Sequence, residues 1–276
     1  MITLSAFADE IGPELDLQMD TCEANGVHCI DVRGIDGVNV ARMTLAQAEA
    51  YARRLAARGF TVPCIGSPIG KIRIGDDFQA HLERLKHCCD VARAFGTRRI
   101  RIFSFYPPAG GDIRAHRAQV MDQMAAMLQV AEQADAVLFH ENEKAIYGAT
   151  PDGVLDLFAT LSSDRLRGIF DPSNYVEEGV RPYDEGWREG LAERTHFFHV
   201  KDKVHGQPAS VPAGQGEGQF REIFADLKVR AWSGYATLEP HLKAAGQFAG
   251  FTGPDLFQKA ADGLKAVCDE AGIPYQ

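Results

Sequence analysis

Four short segments carry the side chains best suited to chemistry: His140-Glu141-Asn142-Glu143, Phe170-Asp171-Pro172-Ser173-Asn174, His199-Val200-Lys201-Asp202 and Leu238-Glu239-Pro240-His241. Each stands at the end of a short apolar run, the sign of a buried strand. Glu141, Asp171, His199 and Glu239 together would make an oxygen-rich pocket for a divalent cation and a hydroxylated substrate. Three carboxylates without partners repel one another, and a cation is the simplest compensation. Three carboxylates and one imidazole favour Mn²⁺ or Mg²⁺, with Co²⁺ or Zn²⁺ also feasible. A metal holding the carbonyl and hydroxyl of a keto sugar would acidify the neighbouring C–H. Glu141 and Glu239 could then remove and return the proton. Return to the opposite face is epimerisation, and return to the adjacent carbon is aldose–ketose isomerisation.

The elements that must position these residues follow from hydrophobic periodicity. Strands are expected over 2–7, 27–33, 60–65, 98–103, 136–141, 166–170, 195–200 and 234–239. Helices are expected near 13–25, 44–58, 77–95, 113–134, 151–161, 184–193, 217–228 and 254–271, introduced by Thr44, Asp76, Asp112 and Thr150 and closed by Gly26, Gly59, Gly96 and Gly272. Eight strand–helix units are the repeat of an α/β TIM (β/α)8 barrel, whose parallel strands carry the active site at their C-terminal face. Glu141, Asp171, His199 and Glu239 lie 30, 28 and 40 residues apart, about one unit each, so they should share one rim of the mouth. The connections 66–76, 104–112, 171–183 and 203–216 belong to that same face. The longest, through His205–Pro208 and Val211–Gly216, could serve as a flap.

Bulk properties agree. The 276 residues, 45% hydrophobic, suit one domain over 1–276. A net charge of −9 disfavours nucleic acid as a partner. No signal peptide and no apolar run of about 18 residues occurs, which points to a cytoplasmic protein without a membrane partner. Six cysteines without metal spacing read as reduced and structural. Gly214-Gln215-Gly216-Glu217-Gly218 follows the seventh strand without the context of a dinucleotide fingerprint and reads as a flexible turn, so no nucleotide cofactor is expected. Trp187 and Trp232 read as packing.

Glu141-Asn142, Asp171 followed three residues later by Asn174, His199-Val200-Lys201-Asp202 and Glu239 together resemble the sugar phosphate isomerase/epimerase family. These are xylose isomerase-like barrels that include ketose 3-epimerases, inosose dehydratases, hydroxypyruvate isomerases and the endonuclease IV group. The resemblance runs over nearly the whole chain. It implies Glu141, Asp171, His199 and Glu239 as metal ligands, Glu141 and Glu239 as the acid/base pair, a sugar or sugar phosphate as substrate, and a dimer or tetramer. The chain departs from the family pattern at Asn174, where many members carry a substrate-binding His, and at Lys203 and His205, where ketose epimerases tend to place an Arg.

Candidate substrate contacts are Asn174, Lys201, Lys144, His241, Arg33 and Lys71, the basic ones being able to hold a phosphate or carboxylate. Glu143 is the register alternative to Glu141. Arg101, pointing into the barrel, would need a partner such as Asp31 or Glu10. Two other functions stand beside the isomerase or epimerase: a dehydratase of a keto-polyol, of inosose or dehydroshikimate type, and a sugar-binding barrel without catalysis. DNA repair is disfavoured, because His28, His81 and His116 do not fall at strand ends.

Overall fold

Residues 1–242 and 252–276 are described by a computed structural model. Eight parallel strands follow in chain order: β1 Ile2–Ala6, β2 Cys29–Ile30, β3 Ile65–Ile69, β4 Arg99–Ile102, β5 Val137–Glu141, β6 Leu166–Phe170, β7 Thr195–Val200 and β8 Gly234–Leu238. They form one sheet in the order β2-β1-β8-β7-β6-β5-β4-β3. Parallel bridges between Cys29 and Thr61 and between Val32 and Ile65 join its two edges, so the sheet closes on itself. Closure leaves no unpaired edge, and every strand presents alternate residues to the inside.

Helices α1 Leu15–Ala24, α2 Leu45–Ala57, α3 Phe78–Ala94, α4 Arg117–Gln133, α5 Pro151–Leu161, α6 Pro172–Glu177, α7 Phe220–Val229 and α8 Gly253–Ala271 surround it. The α7 helix shows why such segments form and dock: Phe220, Ile223, Phe224 and Leu227 recur at helical spacing and are buried. Each such aromatic or aliphatic side chain contributes about 1.5–3 kcal/mol on leaving water. Among the described residues, no helix is long and apolar enough to cross a membrane.

Several expectations are corrected. The third strand is Ile65–Ile69, not 60–65: the earlier stretch accepts from β2 only at Thr61 and from Val32 beyond it at Cys64, and Pro63 has no N–H to give. Asp77, not Asp76, caps α3 by accepting from the Ala80 N–H at 3.0 Å, while Asp76 accepts from the Arg73 N–H. Thr44 caps α2 in a box with Gln47, as its sequence predicts. The helix expected over 184–193 is replaced by a wide turn at Pro182–Trp187 and a 3-10 turn at Leu191–Glu193. Gly186 and Gly190 weaken a helix there, and Trp187 is held instead by Phe170 and by donation to Asp226 Oδ2 at 2.6 Å. A short hairpin, Gly34–Ile35 with Val38–Asn39, was not anticipated.

All six cysteines are free and buried, and burial pushes every thiol above its ordinary range.

Candidate active site

Glu141 ends β5, Asp171 follows β6, His199 is the penultimate residue of β7, and Glu239 follows β8. All four are buried, and one ligand atom from each lies within 4.8 Å of the others. These are the four residues that spacing had put on one rim.

Two asparagines lock the strand ends that carry Glu141 and Asp171. The Asn142 amide accepts from the Asp171 N–H and donates to the Asp171 carbonyl, both at 2.9 Å. Asn174 Nδ2 donates to the Asn142 carbonyl at 2.8 Å, and the Asn174 N–H donates to Asp171 Oδ1 at 3.0 Å. Asp171 therefore caps α6 while facing the cluster. One side-chain N–H of Asn174, expected as a substrate contact, thus serves this lock.

The carboxylates are not unpaired, which corrects the premise drawn from sequence. Lys201 Nζ bonds Asp171 Oδ2 and donates to Glu239 Oε2 at 2.8 Å. Arg33 Nη1 donates to Glu239 Oε1 at 2.8 Å while its other nitrogens engage Asp9 and Glu10. Arg101 pairs with Glu141 Oε2 at 3.1 Å and donates to the carbonyls of Ser67 and Gly66, rather than pairing with Asp31 or Glu10. Arg33 is therefore held by three carboxylates and does not stand free for a phosphate. Five carboxylates, Asp9, Glu10, Glu141, Asp171 and Glu239, face three fixed cations, Arg33, Arg101 and Lys201, so negative charge remains in excess.

Burial alone would raise every carboxyl here, and the neighbours decide otherwise at two of three. His199 and Arg101 hold Glu141 at about 2. Lys201, His241, Arg33 and His199 keep Glu239 well below the usual carboxylate range. At Asp171 burial prevails over Lys201, and with Glu141 and Glu239 adding repulsion the carboxyl stands at about 7. Lys201 would lose its proton on burial alone, but Asp171, Glu239 and Glu141 raise it well above its ordinary value.

The fit to a metal rests on His199. Its Nδ1 lies 2.9 Å from Glu141 Oε1 and 3.8 Å from Glu239 Oε2, yet among the described residues this buried nitrogen has no hydrogen-bond partner of acceptable geometry. A buried polar atom left without a partner is costly. An imidazole and carboxylates that converge this closely without a well-aligned hydrogen bond are arranged like donors around a common centre. Three carboxylate oxygens and one nitrogen suit a divalent ion.

The remaining candidates lie around this centre. His241 Nε2 is 2.8 Å from Glu10 Oε1 and 3.7 Å from Glu239 Oε1; burial would lower its pKa, but Glu10 raises it overall. Lys71 pairs with Glu143 at 2.7 Å and lies over the Phe103 ring. Lys144 is exposed and pairs with Glu177 at 3.2 Å, as does Lys203 at 2.5 Å. The His205 ring nitrogen Nδ1 lies 2.8 Å from the Val176 carbonyl.

Asp202, to which the sequence pattern assigned no role of its own, is a backbone anchor. Its carboxylate accepts the N–H groups of Lys203, Gly214, Gly216 and Gly218 at 2.8–2.9 Å. A Cβ at Gly216 or Gly218 would fall 2.5 or 2.7 Å from Asp202 Oδ1, which is why glycine stands there. The segment expected to be a flexible turn and flap is thus pinned, and Asp202 and Val211 also pair backbone to backbone. The pattern of glycines at every second position after an aspartate was the available signal. Glu10, on the 3-10 turn Ala8–Glu10 after β1, was considered only as a partner for Arg101.

The model of one family, described as xylose isomerase-like TIM barrel, matches residues 19–267 and so takes in all four cluster residues. The chain belongs to this family. Solved structures share the xylose isomerase-like fold at low identity. The IOLI protein with a binding zinc atom aligns at TM-score 0.78 and 13% identity, covering 98% of this chain and 99% of that one. A D-tagatose 3-epimerase-like protein aligns at 0.77 and 13%, covering 98% of each. The probable 3-DHS dehydratase AsbF from Bacillus anthracis aligns at 0.75 and 16%, covering 96% and 99%. Among curated proteins there is no match.

Proposed function

We propose that this xylose isomerase-like barrel is a metal-dependent isomerase or epimerase that moves a proton at the carbon beside a carbonyl of a keto sugar or sugar phosphate. The observation that carries the reading is the convergence of Glu141, Asp171, His199 and Glu239, where the Nδ1 of His199 has no well-aligned hydrogen bond among the described residues. Those four side chains would hold the metal. When bound, it would polarise the substrate carbonyl and so acidify the adjacent C–H.

Glu141 and Glu239 come from β5 and β8, with β6 and β7 between them, so their carboxylates approach the centre from two sides. Their depressed pKa values keep both ionised at neutral pH. Either can accept a proton as base, and the other, once protonated, can return it. Arg101 and Arg33 hold the two carboxylates in place, and Asn142 and Asn174 hold the strand ends. Burial of the centre limits the access of water to the carbanion-like intermediate.

The purified protein is expected to bind about one divalent ion per chain and, in D₂O, to wash deuterium into a ketose beside its carbonyl. Metal-loaded protein with no exchange over a broad ketose panel would overturn the proposal and favour a binding protein. A dehydratase is the second reading, favoured by the buried ammonium of Lys201 beside Asp171 and Glu239: loss of a hydroxyl needs a proton donor at the leaving oxygen. New ultraviolet absorbance from an enone product would select it.

A further inference from the structure

We propose that Lys201 is an internal counter-ion that the metal must displace, so that loading the centre releases a buried ammonium toward the substrate. This rests on the metal-binding reading above and goes beyond it. Lys201 is only 7% exposed, and its Nζ bonds two of the four candidate ligands, Asp171 and Glu239. The second oxygen of each is engaged as well, Asp171 Oδ1 by the Asn174 N–H at 3.0 Å and Glu239 Oε1 by Arg33 at 2.8 Å. An ion entering among Glu141, Asp171, His199 and Glu239 must therefore take electron pairs that now face the ammonium. Two cations about 4 Å apart repel strongly at the effective dielectric of a protein interior.

Lys201 is the cation best able to give way. Arg33 is tied to Asp9, Glu10 and Glu239, and Arg101 to Glu141 and two backbone carbonyls. The lysine holds its partners through one nitrogen at the end of a four-carbon stem. The backbone beside it need not move, since β7 precedes it and Asp202 next to it is anchored by four N–H groups. Exchange of one cation for another keeps the carboxylates compensated throughout. Binding is then ordered, metal first, and the freed ammonium is available to an anionic or leaving oxygen of the substrate.

Calorimetric titration of Mn²⁺ alone into wild type and Lys201→Met tests this without reading activity. Lys201→Met is expected to bind Mn²⁺ at least about tenfold more tightly. Equal or weaker binding by the variant overturns the proposal, because the lysine then orients the carboxylates and does not compete for them. Binding by neither protein overturns the metal-centre reading itself, and the counter-ion role with it. Should Lys201→Met fail to fold, crystals of the wild type soaked in Mn²⁺ decide: Nζ released from Asp171 and Glu239 supports the exchange, and Nζ still bonded to both beside the ion overturns it.

Discussion

On β5, β6 and β7 the side chain two residues before each cluster residue is apolar: Phe139 before Glu141, Ile169 before Asp171 and Phe197 before His199. With Cys64 these three form a small buried cluster of their own, with Val137 and Tyr235 packed against it. Phe197 stacks on Tyr235 and meets Phe139 edge to face. One step up the same strands, the interior is carboxylate, imidazole, guanidinium and ammonium. The lower layer gains stability from area removed from water, whereas the upper layer holds charges that burial opposes and only mutual pairing keeps ionised. A barrel can carry so costly a layer because the one beneath it is apolar and buried.

Mutations in the two layers should therefore fail differently. Phe197→Ala is expected to cost about 3–5 kcal/mol in urea unfolding, lowering stability and activity together. Glu141→Gln should lower the unfolding midpoint less than Phe197→Ala does, since the change is nearly isosteric, Arg101 keeps its carbonyl partners, and one of five crowded carboxylates is removed. It should weaken Mn²⁺ binding about 100-fold or more, seen in calorimetry, and slow deuterium exchange by about 10²–10⁴-fold. If Glu141→Gln unfolds the protein as readily as Phe197→Ala, the contrast between the layers is wrong.

Asp202→Ala tests what lies just above. Removing the shared acceptor of four N–H groups should cost about 2 kcal/mol and expose the 203–218 segment to limited proteolysis, with Mn²⁺ affinity changed far less than in Glu141→Gln. A last test concerns pH. Burial lowers His140 and His81 to about 4 from an ordinary 6.5. The unfolded chain then binds protons that the folded chain refuses, so stability is fully present above pH 6.5 and is lost as pH falls toward about 4. Unfolding midpoints at pH 7, 5.5 and 4.5 should show this fall, and a His81→Gln, His140→Gln variant should show a shallower one.

Much of this was legible in one dimension. Glu141, Asp171, His199 and Glu239 were identifiable because strand periodicity is local: an apolar run that ends in a polar group marks the mouth of a barrel, and unit-length spacing puts the groups side by side. The α5 helix begins and ends where its pattern predicts, at Pro151 and Leu161. The helix expected over 184–193 failed because Trp187 is satisfied by Phe170 and Asp226, partners remote in sequence. Arg33 looked like an anion receptor for the same reason: nothing near it in sequence reveals that Asp9, Glu10 and Glu239 reach it.

The amino-acid sequence by itself determined the strand–helix repeat, the closed parallel barrel and the identity of the four groups at its mouth, since each depends on patterns within about one unit of chain. Only the tertiary structure decided how those groups are compensated. Lys201 between Asp171 and Glu239, Arg101 on Glu141 and the approach of His199 to Glu141 are relations among different strands. Charge compensation depends on distance in space, and a barrel brings together residues such as Arg33 and Glu239 that stand 206 positions apart in the chain.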